Sequence, residues 1–196
     1  MEVLAGDLAF PEGPAFDSDD TLWCTEAYAG ALVRWEAETD GFDRVGVGGI
    51  PNAIAVDEDD ALWICDFETD AIRRYDPRSE TVETVVDSVD GEALDKPNDL
   101  AFDAEGNLVF TCSGHPEDAP NEPTQYVCCY LPDGTIEKIA EGLVFPNGLT
   151  FTPDGGIVVA ETYKHRLLRA SGIPTPASGR TSPPGPRSGV LSVPTA

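Results

Sequence analysis

Four prolines in this chain open copies of one repeated pattern, and each is followed by a side chain that carries a terminal oxygen. The stretches read Phe10-Pro11-Glu12-Gly13-Pro14-Ala15-Phe16-Asp17, Ile50-Pro51-Asn52-Ala53-Ile54-Ala55-Val56-Asp57, Lys96-Pro97-Asn98-Asp99-Leu100-Ala101-Phe102-Asp103 and Phe145-Pro146-Asn147-Gly148-Leu149-Thr150-Phe151-Thr152. The residue after the proline is Glu12 in the first copy and Asn52, Asn98 or Asn147 in the others. One carboxylate and several amide carbonyls, without His or Cys, form a hard oxygen donor set suited to Ca²⁺, Mg²⁺ or Mn²⁺. Glu12, Asn98 and Asn147 are the best ligand candidates. Asn52 shares the offset in the less distinctive Ala53-Ile54 context. A single Asn after proline reads as a turn residue bonding its own backbone. Three Asn and one Glu at one offset favour a shared site on the axis of a ring.

The elements that must position these residues recur with them. The prolines are spaced by 40, 46 and 49 residues. Counting forward from each, Phe16, Val56, Phe102 and Phe151 align, then Leu22, Leu62, Leu108 and Ile157, then Trp23, Trp63, Val109 and Val158. Glu26, Asp66, Cys112 and Glu161 also share an offset. Self-similarity at this period marks a solenoid or propeller. Each unit reads as four short strands. The first follows the proline, and a turn such as Ser18-Asp19-Asp20 or Pro153-Asp154-Gly155 leads to the second. The second strands, Leu22–Thr25, Leu62–Cys65, Leu108–Thr111 and Ile157–Ala160, are apolar on both faces, as strands packed between two sheets must be. Third strands are predicted at Leu32–Trp35, Ile72–Tyr75, Val127–Tyr130 and Leu167–Arg169. Fourth strands are predicted at Phe42–Val45, Thr81–Val86 and Thr135–Ile139. Four strands per ~40–50 residues is the signature of propeller blades, and the class is all-β. Trp23, Trp35, Trp63 and Tyr75 fall at blade-core offsets.

The third unit carries an extra Pro- and acid-rich stretch, Gly114 to Pro123, before its third strand. Loops of this kind carry function more often than strands do. His115 lies on it, either as an exposed loop histidine or as a substrate contact. His165 stands at a strand start and reads as structural.

The fourth unit departs from the pattern at Ala170, where Trp35 and Tyr75 are aromatic in other units. Residues 1–170 therefore read as a partial propeller of about three and a half blades. Residues 171–196 contain no Asp or Glu and are dominated by Pro, Ser, Gly, Thr and Ala. That composition predicts a disordered tail. The abrupt change also fits a reading frame that slips near residue 170. An open ring leaves strand edges, so self-association through those edges is expected.

Composition narrows the partners. The net charge is −24, which disfavours nucleic acid and anionic membranes. It suits a halophilic source, where salt screens self-repulsion. The start, Met-Glu-Val-Leu-Ala-Gly-Asp, has no signal-peptide character. No apolar run approaches the ~18 residues of a membrane span. Five cysteines without CxxC spacing read as buried, reduced thiols. A cytoplasmic location is expected.

The Phe-Pro-Glu-Gly-Pro-Ala-Phe-Asp start, Lys-Pro-Asn-Asp-Leu with Asp-Ala-Glu-Gly-Asn-Leu, and Pro-Asn-Gly-Leu with Thr-Pro-Asp-Gly resemble the SMP-30/gluconolactonase (regucalcin-like) family over residues 6–169. The resemblance implies a six-bladed propeller with one axial divalent metal, usually Ca²⁺ or Zn²⁺. It implies hydrolysis of sugar lactones or related esters. Glu12 and Asn147 match metal ligands, and Asn98 a residue meeting both substrate and metal. Lys96 matches a basic substrate contact, and Asp99 is a candidate general base. A further ligand, an Asp in a later blade and the leading base candidate, has no counterpart in this sequence. The chain as written is therefore expected to be an impaired hydrolase. The alternatives are a non-catalytic propeller that binds a ligand or protein, and a strictosidine-synthase-like propeller.

Overall fold

The computed structural model describes residues 3–36, 41–117 and 123–171. The expected tail at 171–196 lies, beyond Ser171, outside the described residues. The first sheet runs β1 (Pro11–Phe16), β2 (Leu22–Glu26), β3 (Ala31–Glu36) and β4 (Gly41–Gly46). The second runs β5 (Pro51–Val56), β6 (Leu62–Asp66), β7 (Ala71–Asp76) and β8 (Thr81–Val86). A two-stranded ribbon follows, β9 (Ser88–Val89) and β10 (Glu92–Ala93). The third sheet runs β11 (Pro97–Phe102), β12 (Leu108–Cys112), β13 (Gln125–Tyr130) and β14 (Ile136–Leu143). The fourth runs β15 (Pro146–Phe151), β16 (Ile157–Glu161) and β17 (Arg166–Ala170). Each sheet is an antiparallel meander in sequence order.

Every repeat proline is the first residue of its sheet's first strand. Proline lacks an N–H, so a strand's opening position is one of the few it can hold in a sheet. The next turn is also repeated. Asp17, Asp57 and Asp103 each accept two backbone N–H groups of their own turn, from Asp19 and Thr21, Asp59 and Ala61, and Glu105 and Asn107. In the fourth blade Thr152 Oγ1 accepts the Gly156 N–H. Asp17 and Asp57 also take the indole N–H of Trp23 and Trp63, locking the tryptophans onto the blade.

Neighbouring sheets meet through their first strands, β1 on β5, β5 on β11 and β11 on β15. These four strands are therefore the innermost of a propeller. The core lies between blades. Trp23, Leu32, Ile54, Leu62, Ile64 and Tyr75 fill the space between the first and second. Cys65, Ile72, Leu100, Phe110 and Cys128 fill the next, and Val109, Val127, Ile139, Ile157 and Val159 the last. This explains why second strands are apolar on both faces. Four of the five cysteines are buried there as free thiols. No described helix is long and apolar enough to cross a membrane.

Candidate active site

Antiparallel pairing sets the start of each innermost strand against the end of the second strand, as in Pro11 opposite Glu26 and Pro146 opposite Glu161. The third strand begins at the same end, with Ala31 opposite Glu26. One rim therefore gathers the four repeat prolines, the residues after them, and the loops between second and third strands.

Glu12, Asn52, Asn98 and Asn147 are each the second residue of an innermost strand. Their backbones are tied from blade to blade. Thr25 Oγ1 bridges the carbonyls of Glu12 (3.2 Å) and Asn52 (3.1 Å). Asn52 Nδ2 donates to the carbonyl of Asn98 at 2.9 Å. Thr111 Oγ1 donates to the carbonyl of Asn147 at 3.0 Å and accepts the Asp99 N–H at 3.1 Å. Ser113 Oγ donates to the carbonyl of Pro146. Both bridging threonines are fully buried.

A break in register falls at or just after the candidate position in all four blades, between Glu12 and Ala15, Pro51 and Ala53, Pro97 and Leu100, and Pro146 and Leu149. Bulges re-aim side chains and are enriched beside active sites. Sequence reasoning missed them, although Gly13, at φ 52°, and Gly148 stand at the bulge in the first and fourth blades. A Cβ at Gly13 would stand 2.8 Å from Ala53 Cα, so glycine also permits the close approach of β1 to β5.

The four residues are not equivalent. Asn52 spends its amide N–H on the neighbouring blade. The side chains of Glu12, Asn98 and Asn147 make no hydrogen bond to other described residues, although Asn98 is only 8% exposed. Their oxygens stay open to a ligand, and one carboxylate with amide carbonyls fits a hard divalent cation. Among the described residues no group of three His, Cys, Asp or Glu side chains could hold a metal. Any centre here must use amide oxygens.

Asp99, next along β11, is partly buried. Its Oδ2 accepts the Leu149 N–H of the next blade at 2.7 Å. Burial pushes its carboxyl above the usual range, and backbone N–H groups of Leu149 and Leu100 only partly offset this. Lys96 Nζ lies 2.8 Å from Asp70 Oδ1 and 5.4 Å from the centre of the Phe67 ring. Asp70 also accepts the Lys96 backbone N–H. His115 is exposed, and its ring centre is 6.3 Å from that of Phe67. Phe67 thus brings Lys96 and His115 onto one patch, a role that sequence reasoning gave to neither Phe67 nor Asp70.

The buried acids Glu26, Asp66 and Glu161 have structural duties. Each accepts the backbone N–H of a residue just ahead of an innermost strand, from Ala9, Ile50 and Val144 respectively. Each is also paired with an arginine, Arg44, Arg73 or Arg166. Despite burial, hydrogen bonds and the arginine hold the Asp66 carboxyl below its ordinary range. The hydrogen bond from Arg44 does the same for Glu26.

A family model described as SMP-30/Gluconolactonase/LRE-like region matches residues 10–180. A gluconolactonase of Zymomonas mobilis is 32% identical over 87 residues, which is 41% of this chain and 24% of that protein. A solved gluconolactonase of Xanthomonas campestris is 27% identical with a TM-score of 0.75, covering 85% of this chain and 59% of that one. A calcium-binding protein, regucalcin, of Agrobacterium tumefaciens shares the fold at 19% identity and a TM-score of 0.71, covering 86% of this chain and 56% of that one. The chain spans less than two thirds of the length of these relatives. Four bulged innermost strands and a match over most of the sequence agree: the chain belongs to the SMP-30/gluconolactonase/LRE-like family.

Proposed function

We propose that this protein is a metal-dependent hydrolase of sugar lactones or related esters, with a divalent cation, Ca²⁺ foremost, held by Glu12, Asn98 and Asn147. One observation carries the reading. These three side chains sit at one offset on innermost strands and make no hydrogen bond to other described residues, while the Asn52 amide at that offset is held to the neighbouring blade through its N–H. A bound cation supplies Lewis-acid polarisation of the lactone carbonyl and a more acidic water.

The chain's own residues do the rest. Asp99 accepts a proton as general base. Its raised pKa brings it nearer neutral pH, where proton transfer is most effective. The Leu149 N–H on Oδ2 fixes the carboxylate. The Asn98 amide orients the substrate, with Lys96 and His115 at its edge. A single carboxylate among the ligands makes a weakly charged site, so cation affinity is expected near 10⁻⁴–10⁻³ M and turnover is impaired.

Lactone hydrolysis followed by proton release tests this, with Ca²⁺, Zn²⁺, Mn²⁺ or Mg²⁺ added and with chelator. Turnover that needs metal and disappears in Glu12→Ala supports the reading. Turnover indifferent to chelation and to Glu12→Ala defeats it. Saturable ligand binding without turnover would point to a non-catalytic propeller.

A further inference from the structure

The rim that carries the candidate ligands also carries two aromatic pairs, each setting a phenylalanine against an exposed tyrosine. Phe10 stacks on Tyr28 with ring centres 4.8 Å apart. Phe145 meets the edge of Tyr163 at 5.0 Å. Phe67 gathers His115 and Lys96 between them. Phe10 is 49% exposed, Tyr28 70% and Tyr163 39%, while Phe145 is buried beneath Tyr163. Exposed aromatic surface at a rim of this kind is a candidate binding surface.

Phe10 and Phe145 each stand two residues before a candidate ligand, Glu12 and Asn147. Tyr28 and Tyr163 occupy matching places in the short 3₁₀ turns Ala27–Ala29 and Thr162–Lys164, at the same rim. Phe10 and Phe145 hold φ of 64° and 53°, unusual for bulky residues and disfavoured before proline. Such backbone is retained where the surroundings enforce it, often at ligand-binding sites.

Charge on the rim is largely cancelled. Lys96 is neutralised by Asp70, Arg44 by Glu26, Arg73 by Asp66 and Arg166 by Glu161. Lys164, exposed beside Tyr163, and the Glu12 carboxylate are the exceptions. Together with a net charge of −24, this makes the mouth a poor receiver of a phosphorylated or carboxylated substrate.

We infer that the aromatic pairs Phe10–Tyr28 and Phe145–Tyr163 select uncharged lactones or esters bearing an aromatic or alkyl substituent over polyhydroxylated ones. This rests on the hydrolase reading and narrows its substrate class. An apolar wall contributes stacking and area but gives sugar hydroxyls no partner.

The test compares a phenyl-substituted δ-valerolactone with D-glucono-δ-lactone, which differ in what the ring carries. Binding of the corresponding phenyl δ-lactam, which resists hydrolysis, is measured in parallel by calorimetry. The phenyl lactone should be preferred by roughly 10- to 200-fold in kcat/KM. Tyr28→Ala and Tyr163→Ala, both at exposed positions that the fold does not need, should each cost roughly 3- to 10-fold for the phenyl lactone, through KM, and less for gluconolactone. Lactam affinity should weaken in step. A preference for gluconolactone, with both variants unchanged, overturns the inference and leaves the hydrolase reading standing. Lactam binding weakened by the variants, without hydrolysis of either lactone, upholds the collar and defeats the hydrolase. Neither binding nor hydrolysis defeats both.

Discussion

Thr111→Val isolates the tie that holds two candidate ligands in place. Thr111 is fully buried. Its hydroxyl accepts the Asp99 N–H and donates to the carbonyl of Asn147, so it joins the third and fourth blades behind Asn98 and Asn147. Valine keeps the shape and removes both bonds, leaving one donor and one acceptor without partners. Each buried unsatisfied group costs about 1–3 kcal/mol. With partial relaxation, the expected loss is roughly 2–4 kcal/mol. It should appear in urea unfolding as a lower midpoint at constant slope. Losing a group that orients ligands typically weakens a metal by about 10- to 100-fold, so cation affinity should fall by that order. Thr111→Ser retains the hydroxyl and should restore both. A stability change below about 0.5 kcal/mol, the scatter of ordinary surface substitutions, with unchanged cation affinity, would refute the idea that this hydroxyl organises the site.

Stability should fall on acidification. The folded-state pKa values of Glu26 and Asp66 lie below their unfolded values. Their contribution is therefore full above about pH 4–5 and is lost as pH drops through the folded values. Thermal unfolding between pH 7 and 3 should show this, with a shallower fall in Asp66→Asn than in the wild type. Asp99 runs the other way. Its raised pKa means that its charge penalises the fold above that value and ceases to do so below it. Asp99→Asn should keep the Leu149 hydrogen bond, hold or raise the melting temperature at pH 7, and reduce lactone hydrolysis by about 10²-fold or more. A lowered melting temperature with full activity would reject Asp99 as base. Gly13→Ala should cost more than about 1 kcal/mol in denaturant unfolding, because it puts a Cβ at positive φ against the backbone of Ala53 and Ile54. A neutral result would show that β1 and β5 can separate freely.

The repeat made the fold legible. One offset from each proline located the innermost strands, and the apolar second strands located the core between blades. Glu12, Asn52, Asn98 and Asn147 were visible for the same reason. The rest of the site depended on partners with no shared offset. Arg44, Arg73 and Arg166 meet equivalent buried acids from unlike places in their blades, so the repeat could not reveal them. Asp70 and Lys96 come from different blades, 26 residues apart. The bulge after each proline leaves a compositional mark only at Gly13 and Gly148, and none in the second and third blades. The positive φ of Phe10, Lys96 and Phe145 contradicts the local preference of a residue before proline, so only tertiary structure could impose it. The ribbon of β9 and β10 is too short for periodicity to show.

Ca²⁺ titration by calorimetry, at a salt concentration high enough to screen the acidic surface, tests the central claim most directly. The wild-type chain should bind one ion with Kd near 10⁻⁴–10⁻³ M. Glu12→Gln should abolish that component and leave the folded state intact. Identical isotherms for the two proteins, or no saturable binding in the wild type, would contradict a metal centre built on Glu12, Asn98 and Asn147.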